Sequence, residues 1–143
     1  MEPLPQTFQV LCRNLKAAGV WPHGRVEAVE VGLGDGTEGA GAGHDSSAAF
    51  TFYPRMPGNS TSRPAEKARL QGGCMRPAFF EGAMEVQCAV TTLSRLMRDY
   101  GLGTIELLKV DVEGAELSVL QGIDAAHWPH IAQVTPTVFP PMA

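Results

Sequence analysis

The sequence predicts an α/β fold, because segments with strand periodicity alternate along the chain with segments of helical periodicity. The clearest strand is the apolar run at residues 105–112, which ends in acidic residues and leads into a helix at residues 115–120. A second helix, at residues 93–100, carries apolar residues at helical spacing and ends at Gly101. The order strand, helix, strand, helix, strand is typical of a sheet covered by helices.

The remaining elements are short, and Gly or Pro residues separate them. A helix at residues 6–18 is expected to end at Gly19, and Thr91 or Thr92 is expected to cap the helix that follows. The other expected strands cover residues 25–33, 48–53 and 84–90, and a last strand begins within residues 128–134 and is stopped by Pro136, Pro140 and Pro141. Apart from the strand at 48–53, residues 34–83 are expected to form an irregular insert.

Composition limits the class of protein. A chain of 143 residues is one domain by length, and its 44% hydrophobic and 18% charged residues are ordinary for a globular protein. Without an apolar run of about 18 residues or a basic-then-apolar leader, we expect no membrane association and a cytoplasmic location. A net charge of −4 argues against nucleic-acid binding. The three cysteines lack metal-type spacing and are expected to be reduced, so no metal site is predicted.

A basic stretch lies between residues 55 and 76, with Glu66 as its acidic residue. Its cations are Arg55, Arg63, Lys67, Arg69 and Arg76. The surrounding Pro and Gly residues favour a solvated surface loop. The alternative is a substrate-facing flap that attracts anionic groups, and the sequence leaves both open.

Two carboxylates, Asp111 and Glu113, follow the strand at residues 105–112. Residues two apart on an extended strand point to the same side, and open α/β sheets bind ligands at the carboxyl ends of their strands. Either residue could therefore act as a general base or hold a hard cation through oxygen. The structural alternative places Glu113 on the free amides of the next helix and Asp111 on a neighbouring loop.

Two segments carry a family resemblance. Residues 105–122 resemble the Leu-Leu-Lys-Ile-Asp-Val-Glu-Gly-Ala-Glu segment of FkbM-type methyltransferases, and residues 2–5 resemble that family's Glu-Pro-x-Pro motif. Weaker similarities lie at residues 31–35, at Thr92 and Leu93, at Trp128, and at residues 131–134. The resemblance implies a Rossmann-like class I methyltransferase sheet. It also implies transfer of a methyl group from S-adenosylmethionine to a hydroxyl of a small molecule, sugar or secondary metabolite.

The same resemblance implies roles for individual residues. Glu2 takes the position of the family carboxylate that accepts hydrogen bonds from the ribose hydroxyls of S-adenosylmethionine. The two oxygens of a carboxylate suit two vicinal hydroxyls. Gly34 and Asp35 fall on the adenine side, and Asp111 or Glu113 falls at the reaction centre.

Parts of the family pattern are not found in the chain. Family members bind the methionine half of the donor with a glycine-rich turn after a first strand, and both precede the Glu-Pro motif. We therefore expect residues 1–143 to be a partial domain, truncated at both ends and belonging to a larger polypeptide. The strand at 105–112 is then expected to keep an unpaired edge. The alternative to an active enzyme is a non-catalytic fragment or an interaction module of a larger methyltransferase-containing protein.

Other motifs are weaker. Residues 34–39 fit the dinucleotide pattern G-x-G-x-x-G, but the Gly-rich sequence that follows disfavours the helix this site needs. A flexible loop is therefore favoured over a nicotinamide-binding oxidoreductase. Residues 59–61 fit a glycosylation acceptor and are interpreted as a turn. They belong to residues 53–61, which resemble a segment of some large family members.

Overall fold

The structure is a computed structural model that describes residues 1–37, 46–65, 67 and 77–136. Its helices are α1 (Pro5–Ala17), α2 (Leu93–Asp99) and α3 (Glu116–Gln121), and its strands are β1 (Gly32–Leu33), β2 (Ser47–Phe52), β3 (Met84–Thr91), β4 (Leu108–Val110) and β5 (Val134–Pro136). Short 3-10 turns lie at Pro57–Asn59, Pro77–Phe80 and Trp128–His130. The α/β class predicted from the sequence is confirmed.

The strands form two small sheets. In the first, the order is β1-β3-β2, with β3 parallel to β1 (Gly32 opposite Val90) and antiparallel to β2 (Phe50 opposite Val86). In the second, β4 runs parallel to β5, and Leu108 lies opposite Val134. The mixture of parallel pairs and crossover helices agrees with part of a Rossmann-like sheet.

Three strand predictions need correction. The strand expected at residues 25–33 is reduced to Gly32–Leu33, because β-branched residues give strand propensity only where a neighbouring strand supplies a ladder. The strand expected at 105–112 is reduced to Leu108–Val110, with one isolated bridge between Ile105 and Ile131. Residues 128–130 form a turn rather than a strand, and Pro136 is the last residue of β5. A proline is tolerated there because, among the described strands, β5 pairs with β4 alone and so lies at a sheet edge.

Local sequence signals set the ends of α2. The Oγ1 atom of Thr92 accepts a hydrogen bond from the amide of Arg95 at 3.1 Å, so Thr92 rather than Thr91 is the N-cap. Gly101 adopts a φ of 62°, a left-handed conformation that suits glycine just past a helix end. Both signals are present in the sequence itself.

The main core lies between β4 and the two helices α2 and α3. Its buried side chains are Leu93, Met97, Leu108, Val110, Val119 and Ile123. Each such side chain contributes about 1.5–3 kcal/mol when it is fully removed from water. A smaller cluster of Leu4, Phe52 and Cys88 joins the N-terminus to the first sheet. No helix among the described residues is long and apolar enough to span a bilayer.

The loop after β1 packs closely on the end of α3. A Cβ atom built on Gly122 would lie 2.1 Å from the carbonyl oxygen of Gly34. The amide of Asp35 donates to the Oγ atom of Ser118 at 3.2 Å. The first sheet and the main core are therefore joined at the carboxyl end of β1.

Candidate functional site

A cavity of about 310 Å³ lies between the two sheets. Its walls are residues 1–4, residues 31–33, Phe50, Pro57, Gly58, Ser60, Ser62, residues 108–113, Ala115 and Val119. Side chains of successive strand residues point to opposite faces, so the unbroken run 108–113 shows that a backbone edge of β4 faces the cavity. The other edge of β4 pairs with β5.

Three acidic residues line this cavity: Glu2, Asp111 and Glu113. The first comes from the start of the chain and the other two from its last third, and the fold brings them to one space. The sequence predicted this convergence. Gly34 and Asp35 are not among the residues that line the cavity.

Glu2 is half-buried at the N-terminal wall. Its Oε1 atom accepts a hydrogen bond from the amide of Leu4 at 3.0 Å, and its own amide donates to the carbonyl of Val29 at 3.1 Å. Burial raises the pKa of the Glu2 carboxyl, against the lowering effect of the Leu4 amide. The main chain thus fixes Glu2 at the cavity wall, where its carboxyl is half-buried.

Asp111 lies on the more exposed side of the cavity. Its Oδ2 atom accepts a hydrogen bond from the Nζ atom of Lys109 at 2.8 Å, with side-chain exposures of 42% and 65% respectively. Solvent screening makes such an exposed pair weak.

Glu113 is held far more tightly. Its Oε2 atom accepts a hydrogen bond from Nζ of Lys67 at 2.8 Å, and its carbonyl accepts one from Oγ1 of Thr61 at 2.9 Å. Its backbone φ is 54°, unusual for a residue with a side chain.

The helix-terminus alternative for Glu113 is wrong. The Glu116 carboxylate accepts hydrogen bonds from the amides of Val112 and Gly114 at 3.1–3.3 Å. Glu116 is the first residue of α3, so its side chain can fold back onto the turn, whereas the left-handed conformation of Glu113 is accompanied by an ion pair with Lys67.

Gly34 and Asp35 lie where the loop after β1 meets α3. The Gly34 amide donates to the Thr91 carbonyl at 3.0 Å. The Oδ1 atom of Asp35 accepts from the Thr37 amide at 2.8 Å and from the Thr37 hydroxyl, and these bonds lower the pKa of the Asp35 carboxyl. Contact of Gly34 or Asp35 with the adenine side of S-adenosylmethionine stays a prediction. Residues 38–45, and with them the end of the G-x-G-x-x-G pattern, lie outside the described residues.

Sequence reasoning missed Lys67. Its neighbours in the sequence place it in a solvated basic loop, yet its side chain is 2% exposed and its ammonium is bonded to Asn59 and Glu113. Arg69 and Arg76 of the same stretch lie outside the described residues. The turn predicted at residues 59–61 lies earlier in the structure: the 3-10 turn covers Pro57–Asn59, Ser60 is extended, and Thr61 forms an isolated β-bridge with Thr51. The likeness of residues 53–61 to a family segment was the available signal that this stretch has a defined structure.

Acidic residues around a cavity at the carboxyl end of a parallel strand are typical of α/β proteins with an open sheet, the class in which ligands bind at that edge. A family model described as "Methyltransferase FkbM domain" matches residues 1–138. The chain belongs to the FkbM methyltransferase family.

Three curated proteins are similar to the chain. "Methyltransferase sdnD" of Sordaria araneosa is 36% identical over 98% of this chain and 56% of its own length. "Methyltransferase 1" of Beauveria bassiana (strain ARSEF 2860) is 38% identical over 93% of this chain and 51% of its own length. "31-O-demethyl-FK506 methyltransferase FkbM" of Streptomyces tacrolimicus is 32% identical, over 96% and 54%. The chain thus spans about half the length of the curated relatives it matches. No solved structure matches it.

Proposed function

We propose that this chain forms the donor-binding and reaction-centre side of an O-methyltransferase that acts on a hydroxyl of a small molecule, sugar or secondary metabolite. The observation that carries the proposal is the convergence of Glu2, Asp111 and Glu113 on one cavity beside the carboxyl end of β4. One relative is named as a 31-O-demethyl-FK506 methyltransferase, which favours a secondary-metabolite acceptor.

Glu2 fits the part of the site that would hold the ribose of S-adenosylmethionine. Its Oε1 atom already accepts the Leu4 amide, and a carboxylate has further acceptor positions for hydroxyl donors. Because the carboxyl is desolvated, two bound hydroxyls would restore hydrogen bonds that burial removes. The cavity volume of about 310 Å³ is at the lower end for small-molecule sites.

Asp111 and Glu113 fit the reaction centre. When bound, S-adenosylmethionine supplies an activated methyl group on a sulfonium, and the acceptor hydroxyl must be aligned with it and lose a proton. Asp111 is the more accessible of the two carboxylates, with 42% of its side chain exposed against 19% for Glu113. We assign Asp111 as the base that accepts the hydroxyl proton, and we assign Glu113 the role of shaping the cavity wall and giving it negative charge.

The edge of β4 that faces the cavity supports the proposal that these residues are part of a longer enzyme. No described strand pairs with this edge. It is the edge beside which the family's first strand would lie, so a longer polypeptide would fill the rear of the cavity and leave its carboxyl end for the donor.

Isothermal titration of the 143-residue chain with S-adenosylmethionine tests the proposal. We expect saturable binding, and we expect Glu2→Gln to weaken it about 10-fold or more, since a hydrogen bond to a charged group is worth about 1.5–3 kcal/mol. Glu106→Gln, an exposed residue outside the cavity, is the matched control and should bind as the wild type does. Equal affinity for the Glu2 variant would refute the ribose assignment.

The open edge of β4 also supports the second candidate, a non-catalytic fragment or an interaction module of a larger protein. Its prediction differs plainly. The chain would give no heat with S-adenosylmethionine, while a strand-forming partner segment would still bind.

A further inference from the structure

A buried ammonium lies behind the cavity wall. Lys67 is 3% exposed, and its Nζ atom donates to Oδ1 of Asn59 at 2.7 Å, to the carbonyl of Asn59, and to Oε2 of Glu113 at 2.8 Å. An ammonium has three donors, and all three find an acceptor. Burying a charge is strongly unfavourable unless the charge is paired in this way. The environment of Lys67 is therefore built for its charge.

Thr61, which lies between Asn59 and Lys67 in the sequence, also holds the main chain of Glu113. Thr61 is 1% exposed, its hydroxyl donates to the Glu113 carbonyl at 2.9 Å, and it accepts from the amide of Arg63 at 3.0 Å. Backbone bonds between Thr61 and Thr51 tie this segment to β2. Asn59, Thr61 and Lys67 together are called the clasp below. The clasp restrains both the side chain and the main chain of Glu113.

What the clasp restrains is a strained residue. Glu113 has a φ of 54°, a left-handed backbone conformation that is unfavourable for a residue with a side chain. Such strain persists only where the surroundings determine the conformation, and it is concentrated at functional sites. A glycine at position 113 would remove the strain but also the carboxylate. The position therefore keeps a carboxylate on the cavity wall in spite of the backbone cost.

We infer that Lys67 is a positioning residue: through the clasp, it fixes the Glu113 carboxylate at the cavity wall and balances its charge. The inference rests on the proposed function in one respect, namely that the cavity takes S-adenosylmethionine. A purely structural tie would affect only how stably the segment 57–67 is attached. A positioning role also sets the charge that the cavity presents to its ligand.

Charge at the wall can be measured separately from stability. S-adenosylmethionine carries a positive sulfonium that S-adenosylhomocysteine lacks, so the ratio of the two affinities reports the local charge, whereas partial unfolding weakens both equally. Lys67→Met leaves the Glu113 charge without its ammonium, and Glu113→Gln removes the negative charge. At separations of several ångströms we expect the preference for the sulfonium ligand to rise about 3- to 10-fold in the first variant and to fall by about the same factor in the second.

The experiment combines titration of both ligands with urea unfolding. The variants are Lys67→Met, Glu113→Gln, the double variant, and Lys16→Met, an exposed control on α1 that should leave the affinity ratio within about 2-fold of wild type. The amide introduced by Glu113→Gln keeps an oxygen for Lys67 to donate to, so this variant tests the charge even where Lys67→Met does not fold.

The outcomes separate the two ideas. If the wild type binds neither ligand, the proposed function fails, and the double-mutant cycle alone judges the clasp: coupling of about 10-fold or more in the unfolding equilibrium supports it, and additivity within about 2-fold overturns it. If the wild type binds and Glu113→Gln leaves the affinity ratio unchanged, the positioning role is overturned.

Discussion

Substitution of Gly122 tests the close packing of the loop after β1 on the end of α3. Its φ of −76° and ψ of 7° are open to any residue, and at such a site replacing glycine by alanine usually stabilises a protein by about 0.4–1 kcal/mol. Here the added Cβ would lie 2.1 Å from the carbonyl oxygen of Gly34 and 3.3 Å from Cβ of Thr92. The steric clash therefore predicts that Gly122→Ala lowers the free energy of unfolding, whereas backbone propensity predicts that it raises it.

The steric term is expected to dominate. The two atoms would have to separate by roughly another 1 Å or more to reach ordinary contact. The carbonyl is a main-chain group of Gly34, and the added Cβ is bonded directly to the Cα atom of residue 122. Neither atom can therefore move away by rotation of a side chain. The Gly34 amide is bonded to the Thr91 carbonyl at 3.0 Å, which holds the loop in place. We expect Gly122→Ala to reduce the free energy of unfolding by about 1–3 kcal/mol, the usual cost of overpacking.

Urea unfolding followed by circular dichroism measures this change. Gly103→Ala is the matched control, because no atom lies within 4 Å of its added Cβ and its φ is not in the left-handed range. It should be as stable as the wild type, or more stable by up to about 1 kcal/mol. A Gly122→Ala protein as stable as the wild type would refute the close approach of α3 to the loop after β1.

Three further outcomes are expected. Thr92→Ala should lower the free energy of unfolding by about 0.5–2 kcal/mol, because the amide of Arg95 loses its cap, while Thr92→Ser should retain most of the stability in the same urea titration. Ser94→Ala should lower the free energy of unfolding by about 1–3 kcal/mol, as measured by thermal unfolding, because the Asp124 amide loses its acceptor. That acceptor is the fully buried Ser94 hydroxyl, 2.6 Å from the amide nitrogen. An unchanged stability would contradict this hydrogen bond. Glu2→Gln should become more stable relative to the wild type as pH rises. The raised pKa of Glu2 gives a contribution that is fully present below its ordinary value of 4.5 and is lost as pH rises through the folded-state value, so a stability difference independent of pH would contradict the burial of this carboxyl.

The parts of the fold that local chemistry controls were predictable. The helix from Leu93 to Asp99 combines an apolar stripe, a threonine cap and a terminal glycine, and each of these acts over a single turn. The acids after β4 were predictable as cavity residues because the carboxyl ends of parallel strands meet at one edge. The Glu-Pro motif then placed Glu2 at the same cavity.

The rest depended on partners that a local pattern does not reveal. Residues 25–31 carry strand propensity without a ladder to join. Lys67 has the sequence context of a surface cation until Asn59 and Glu113 are brought to it. Glu113 and Glu116 are equally plausible at the start of a helix by type, and only the left-handed backbone at position 113 decides between them.

Several hydrogen bonds join distant parts of the polypeptide: Lys67 to Glu113 across 46 positions, Thr61 to Glu113 across 52, and Asp35 to Ser118 across 83. Long loops must therefore close before these bonds form, which slows folding. On the ribosome, residues 1–100 contain all of the first sheet and of α2, but the cavity lacks its wall of residues 108–113 until residue 113 has emerged. Nascent chains should thus acquire affinity for a ligand only after residue 113 has emerged.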